Sequence, residues 1–466
     1  MKYIDLFSGA GGLSLGIKNS GGDLLFSNEI DSHSVETQKL NLKKLNVDPK
    51  KVISSSIEDL HKLIIDKEVK FEFQGNIVHE NKSSKSYYKN KGVLNEEVLD
   101  NLKDIKDVDL IVGGPPCQGF SNAGRGKKSI ATKNFTDYID DPRNQLFKYF
   151  LDFVEYYTPK IVLIENVKGL ATSMNYRKLI QTSLENTGPG YKTISLILKS
   201  SHFGVPQNRE RIFFIGIRED VVDSEKLIFY LPTIIASKYK KEICLKDAID
   251  DLPKIVSNPK PLNTDIKNEI PIGQKSSFGE DISMLDYKKL IRKKTNYTSL
   301  INVYRGNEIE PKKLYNHKAR FNNENDLKIY SLLSPGKYIT NEENYAARQL
   351  VTYSTEKING EMVFTSKFVD KYFKLDPNKP SKTITAHLKV DNNAFVHYGD
   401  IPRGITPREA ARIQSFPDWY QFSGPFTSQF KQIGNAVPPL MAKALGEIFY
   451  DFLNHGVDHL IDNQKT

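Results

Sequence analysis

The 466-residue chain predicts an α/β fold, an open sheet of mostly parallel strands with a second, smaller domain attached. Short apolar runs recur, from Tyr3 to Phe7, Leu24 to Asn28, Val108 to Val112 and Ile161 to Ile164, with the β-branched character of strands buried on both faces. These runs lead into glycines, a cysteine or glutamates, and the carboxyl ends of strands are where open α/β sheets place reacting groups. From about Ser237 the pattern changes to prolines, lysines and polar residues with poor apolar periodicity.

The first run passes into Ser8, Gly9, Ala10, Gly11 and Gly12, and Leu13, Leu15 and Ile17 follow with the look of a helix. Strand, glycine turn and helix together receive a nucleotide-type cofactor: glycines let the backbone approach, and the helix amino terminus offers N–H groups. The second strand ends on Glu29, about 20 residues after the first glycine, where a carboxylate can hold a ribose diol. The pair implies a cofactor without choosing between a dinucleotide and S-adenosylmethionine. Asp31 to Leu45 reads as an amphipathic helix and Val52 to Ile57 as a third strand, before a lysine-rich surface insertion from Lys67 to Lys91.

The run Val108 to Val112 breaks on Gly113, Gly114, Pro115 and Pro116, where neither strand nor helix can continue. Cys117, one of two cysteines in the chain, stands at that break. Ser121 to Pro142, with Gly124, Arg125, Gly126, Lys127 and Lys128, reads as a mobile basic lid. Asn144 to Tyr157 has helical spacing, Pro159 ends it, and the next strand runs straight into Glu165. Thr193 to Leu198 and Arg211 to Ile217 form a hairpin-like strand pair, with Arg209 and Arg211 expected on one side of the strand start.

Ala236 to Tyr330 holds 19 Lys/Arg against 13 Asp/Glu, so much of the formal net charge of +9 lies outside the strand–helix framework. Attraction to phosphates accounts for such a concentration, and so does a solvated, poorly packed domain, the former being favoured. Cys244 sits in a small apolar patch and is read as structural. Further on, Thr406 is a natural N-cap, with Pro407 at the first helical position and Glu409 at the third. The last apolar helix runs from Val437 to Phe449.

Composition bounds the class. No apolar run approaches the roughly 18 residues that span a bilayer, and the amino terminus enters a strand without a signal-peptide core. Two cysteines cannot form a disulfide framework, so a cytoplasmic protein without a membrane partner is expected.

A cysteine, a glutamate and two arginines at strand ends beside a nucleotide-like cofactor suit methyl transfer to carbon 5 of cytosine, a carbon that is not itself nucleophilic. A thiolate adding to carbon 6 converts the ring into an enamine that can accept a methyl group. That addition needs a hydrogen-bonding partner at N3, which a buried glutamate can be, and a guanidinium for charge developing at O2.

The chain is similar to the DNA (cytosine-5-)-methyltransferase family, of the bacterial restriction–modification type. Six blocks follow the family's order: Asp5 to Gly12, Gly114 to Ser121, Glu165 to Val167, Gln207 to Arg211, Arg408 to Gln414 and Gln432 to Asn435. They extend over almost the whole chain, and the Pro-Pro-Cys-Gln and Gln-Asn-Arg-Glu-Arg blocks are highly specific. The resemblance implies a Rossmann-like S-adenosylmethionine-dependent methyltransferase domain over 1–235. It also implies a target-recognition domain and hinge over 236–425, and a carboxyl-terminal helix, 426–466, returning to the catalytic domain. Cys117 would be the nucleophile, Glu165 the partner of N3 and the exocyclic amine, and Arg211 the contact to O2. Arg209 resembles an arginine that positions the loop or a phosphate. S-adenosylmethionine would lie against Phe7, Gly9, Gly11 and Gly12, with its ribose on Glu29 and further contacts from Ile30, Ile57, Pro116, Leu146, Asn435 and Val437. The family flips its cytosine out of the duplex, and Ser121 to Pro142 would close over it.

One position departs from the family, which usually has an aspartate after the third strand for the adenine amine. Ser56 stands there, followed by Ile57. A hydroxyl substitutes, or Glu58 or Asp59 takes over, or adenine is held by apolar contacts. The block Pro380 to His387 also resembles bacterial members. The implied partner is double-stranded DNA, with a restriction endonuclease for the same site as a possible companion. The rivals are a tRNA cytosine-5 methyltransferase of the same fold and a DNA-binding relative without catalysis.

Overall fold

The computed structural model describes residues 1–66, 102–116, 145–170, 174–257, 291, 294–351, 355–358, 361–364, 371–389 and 392–463. Cys117, the insertion Lys67 to Lys91 and the segment Ser121 to Pro142 lie outside the described residues. The chain divides into two compact units: Met1–Phe203, Glu210–Lys240 and Val437–Thr466 form one, Gly204–Arg209 and Lys241–Ala436 the other.

The first unit is built on seven strands. In chain order they are β1 (Lys2–Leu6), β2 (Asp23–Glu29), β3 (Val52–Ser54), β4 (Leu110–Gly113), β5 (Ile161–Val167), β6 (Tyr191–Lys199) and β8 (Glu210–Arg218), with β7 (Gln207–Asn208) set aside in the second unit. The sheet order is β3-β2-β1-β4-β5-β8-β6. Strands β1 to β5 are parallel, and β8 runs antiparallel to both β5 and β6. Alternation along the central strands gives both faces a core, because successive side chains point to opposite sides. Leu110, Val112, Ile161 and Leu163 join one apolar cluster, and Ile111, Val162 and Ile164 the other.

Helices cover each face. Helix α1 (Gly12–Asn19) and the closing helix Pro439–Asp462 supply Leu13, Ile17, Met441, Leu445 and Phe449 to the first cluster. Their axes meet at Gly16, where an added Cβ would collide with Ala442 and the carbonyl of Pro439. The helix Gln145–Tyr157 lays Phe147, Phe150, Phe153 and Tyr157 on the second. The closing helix runs beyond Phe449 to Asp462, interrupted at Gly456 with φ +78°. No helix among the described residues is long and apolar enough to cross a membrane.

The third strand is shorter than its apolar run suggested. It stops at Ser54, and Ser56 instead caps helix α3 (Ile57–His61), its hydroxyl accepting the Asp59 N–H at 3.0 Å. The cap turns the chain before Ile57, which enters the second apolar cluster.

The second unit has only two-stranded pairings among its described residues, and part of its interior is charged. The helix Pro407–Ile413 has the expected capping box of Thr406 and Glu409. Arg403 grips Glu409 at 2.8 and 2.6 Å, and Arg412 forks onto Asp418 at 2.8 Å through two nitrogens and also reaches Asp251. Arg408 donates to the carbonyls of Tyr315 (2.8 Å) and Pro417 (3.0 Å). Buried charges persist only when paired and hydrogen-bonded in this way.

Two histidines share this interior. Burial pushes His317 down to about 4 and His397 down to about 3. Burial alone would raise the Glu409 carboxyl, but the Arg403 ion pair holds it below its ordinary value. A histidine whose folded pKa is depressed contributes stability above its unfolded pKa, near 6.5, and that contribution fades as pH falls towards the folded value. Lowering pH from 7.5 to 5 should therefore cost about 2 kcal/mol per histidine, read as a falling denaturant midpoint. His397→Gln should flatten that slope; an unchanged slope in the variant would contradict the assignment.

Candidate active site

Because β1, β2, β4 and β5 are parallel, their carboxyl ends share one edge of the sheet, and antiparallel β8 begins at that same edge. The glycine turn, Glu29, Gly114 and Glu165 stand there by topology alone.

At the end of β1 the chain turns left-handed at Gly9 (φ +54°) and Gly11 (φ +77°), conformations that glycine adopts without steric cost. Gly11 precedes α1 and supplies no side-chain cap to it. Among the described residues, a Cβ at Gly9 would meet nothing within 4 Å. Glu29 braces the turn. Its Oε2 accepts the Gly9 N–H at 2.8 Å, and its Oε1 accepts those of Ile30 (2.9 Å) and Asp31 (2.7 Å). Burial raises its pKa, with these amides opposing the shift. A carboxylate has about four acceptor positions, so capacity for one further donor remains. Ile30 beside it is 41% exposed, an apolar side chain presented at a strand end.

Glu165 and Arg211 meet across β5 and β8. Arg211 lies opposite Val167, which points to the same face as Glu165 two residues earlier. Arg211 Nε stands 3.0 Å from Glu165 Oε1, both side chains being largely buried. Among the described residues, that oxygen makes no hydrogen bond of good geometry. A Cβ at Gly114 would come within 3.3 Å of Glu165 Oε2, so glycine leaves the carboxylate its space. Asn166 Nδ2 donates to the Pro115 carbonyl at 3.1 Å and ties β5 to the segment leading to position 117.

The other expected residues fall in several places. Phe7 is half-buried with φ +57°, Leu146 is half-buried in the first turn of its helix, and Pro116 is exposed. Ile57 is 4% exposed and belongs to the core. Val437 lies in the first unit, also in its core, and Asn435 is an exposed helix end in the second. Ser56, besides capping α3, donates to Asp59 Oδ2 at 2.7 Å, while Glu58 pairs with Lys62.

Arg209 does not share a strand face with Arg211. It precedes β8 in the second unit, is 1% exposed, and its guanidinium is engaged by backbone. Nη1 donates to the carbonyls of Ile384 (2.8 Å) and Gly434 (2.9 Å), and Nη2 to that of Asn435 (3.4 Å).

Two supporting residues escaped the sequence reading. Gln38, on the buried side of helix α2 (Ser32–Lys44), donates to Ser8 Oγ at 2.8 Å and to the Gly9 carbonyl at 2.7 Å. A glutamine at a buried helical position is the signal that could have found it. Asp5 is fully buried in β1 and neither carboxyl oxygen makes a hydrogen bond. Burial, with the nearby Glu29 charge, raises its pKa well above its ordinary value.

Comparison with known proteins shows the family and the fold. The family model described as C-5 cytosine-specific DNA methylase matches residues 1–67 and 64–450. The Type II methyltransferase M.DdeI of Desulfomicrobium norvegicum is 30% identical over 464 residues, covering 96% of this chain and 88% of its own. M.AgeI of Thalassovita gelatinovora is 31% identical over 505 residues, covering 96% and 98%. A crystal structure described as a prophage-encoded DNA modification methyltransferase from E. coli superposes with a TM-score of 0.58 at 24% identity, over 98% of this chain and all of that one, and shares the fold. Matched by that family model over residues 1–67 and 64–450, the chain belongs to the C-5 cytosine-specific DNA methylase family.

Proposed function

We propose that the chain moves a methyl group from S-adenosylmethionine to carbon 5 of a cytosine within a specific duplex DNA sequence, through a transient bond between Cys117 and the ring. The observation that carries this reading is the Glu165–Arg211 pair, with a buried carboxylate oxygen that lacks a hydrogen bond, beside the Gly114–Pro116 segment that leads into Cys117.

The residues at the glycine turn fit the cofactor. Gly9 and Gly11 open the backbone, and Glu29 retains capacity for one hydroxyl donor. Ile30 offers an apolar contact and Gln38 holds the turn in shape. When bound, S-adenosylmethionine supplies an electrophilic methyl group. Cys117 as thiolate adds to carbon 6 of a flipped-out cytosine, and the ring's double-bond electrons become available at carbon 5. Glu165 hydrogen-bonds N3 and the exocyclic amine, and Arg211 steadies both Glu165 and the charge developing at O2. A base then removes the proton from carbon 5, the ring double bond re-forms, and the thiolate leaves.

Arg209 acts as a positioning residue in this scheme, and the basic second unit supplies the sequence readout. A restriction endonuclease for the same site is the companion that the relatives' type suggests. The test is label transfer from S-adenosylmethionine to long duplex DNA and to tRNA in parallel. Duplex should be labelled, tRNA should not, and Cys117→Ala should abolish the label while retaining duplex binding. Labelled tRNA alone would favour the tRNA enzyme, and duplex binding without label would favour a silent relative.

A further inference from the structure

The block Pro380 to His387 has no part in the chemistry above, yet it runs alongside the segment that holds Arg209. Ser381 and Lys382 pair in parallel with Gln207 and Asn208. The Ser381 N–H donates to the Pro206 carbonyl at 2.9 Å, the Thr383 hydroxyl to the Asn208 carbonyl at 2.9 Å, and the Ile384 N–H to Gln207 Oε1 at 2.7 Å. The Ile384 carbonyl in turn receives Arg209. Two strands two residues long cannot hold register by themselves. What lies at the middle of this pairing is a lysine whose ammonium is surrounded by rings. Lys382 Nζ stands 4.7 Å from the centre of Phe395, 4.8 Å from Phe373 and 5.2 Å from Tyr338.

The rings are fixed independently of the lysine. Tyr338 and Phe373 form an antiparallel bridge with ring centres 4.5 Å apart, and the Val396 N–H donates to the Phe373 carbonyl at 2.9 Å. The neighbouring residues Ile339, Tyr372 and Val396 belong to the apolar cluster of the recognition region. An ammonium over a ring face is attracted by the ring's quadrupole, more strongly where water is excluded. Three faces make a socket.

We propose that Lys382 is a positioning residue for methyl transfer: seated among Tyr338, Phe373 and Phe395, it pins the Ser381–Ile384 segment against Gln207–Arg209, and so holds Arg209, the last residue before β8, in place. The inference rests on the positioning role proposed above for Arg209. Through this socket the aromatic part of the recognition region sets the place of Arg209, two residues before the guanidinium that pairs with Glu165.

The test uses the full chain with Lys382→Met, which keeps length and removes charge, and Lys382→Arg, which keeps a cation for the rings. Lys382→Met should lower kcat for duplex methylation about tenfold, with KM for duplex within about twofold and the melting temperature unchanged. Amide exchange at Ser381 and Ile384 should quicken in the same variant, and Lys382→Arg should restore both rate and protection. Wild-type kcat and exchange in Lys382→Met would overturn the proposal. So would a Lys382→Arg variant as impaired as Lys382→Met, or a rate loss matched by a fall in melting temperature. Exchange needs no turnover, so it tests the socket even if the wild-type chain fails to methylate duplex DNA, a result that would instead refute the proposed function.

Discussion

Glu165→Gln is expected to slow methyl transfer by about a hundredfold to ten-thousandfold, the range a positioned acid or base contributes. The substitution is nearly isosteric, so the space kept by Gly114 is still filled and the sheet edge is undisturbed. What changes is the charge that faces Arg211 Nε at 3.0 Å and the ability to exchange a proton with N3. A carboxylate this buried keeps its charge because the Arg211 guanidinium is paired with it. Single-turnover transfer to duplex DNA, with binding measured separately, reads the effect. A variant that transfers at the wild-type rate would remove Glu165 from the chemistry.

The two arginines should separate when each becomes lysine. Arg209 gives its guanidinium to the carbonyls of Ile384, Gly434 and Asn435, and an ammonium cannot present that planar fork. Carbonyls left unpaired in the interior cost about 1–3 kcal/mol each. Arg209→Lys should therefore lower the stability of the second unit by about 2 kcal/mol or more and reduce activity with it. Arg211→Lys should cost less stability and lose activity, because lysine keeps a cation beside Glu165 but not the guanidinium geometry. Denaturant midpoints and transfer rates measured together decide this. Equal destabilisation in both variants would mean that the two side chains do the same job.

Much of the first unit was legible because its signals are local. A buried parallel strand must be apolar along its length, and β1, β2, β4 and β5 appeared as such runs. The glycine turn, Glu29 and Glu165 could be found because strands that run parallel end on one edge. The pairing of Thr193 to Leu198 with Arg211 to Ile217 likewise emerged as β6 against β8.

What could not be read depends on distant partners. Val52 to Ile57 looked like one strand, but a hydroxyl after a strand serves equally as a helix cap, and Ser56 caps the helix that begins at Ile57. Arg209 and Arg211 looked like a pair until β8 was found to begin at Glu210, leaving Arg209 to carbonyls about 175 to 226 residues away in sequence. The second unit read as poorly patterned because part of its interior consists of paired charges. Arg403, Arg408 and Arg412 are all buried, and no apolar period announces a core made of guanidinium groups. Gln38 was missed for a related reason: it supports a turn rather than a reaction.

In the proposed reaction, sulfur at position 117 bonds to the ring during turnover. A long duplex in which every cytosine carries fluorine at carbon 5 would trap that bond, because fluorine cannot leave as a proton does and the adduct persists. Incubated with S-adenosylmethionine, the wild-type chain should form a complex that survives denaturing electrophoresis, and peptide mapping should place the bond at Cys117. Cys117→Ala should form none. Ordinary methylation of unmodified duplex without any trapped complex, or trapping undiminished in Cys117→Ala, would contradict the account.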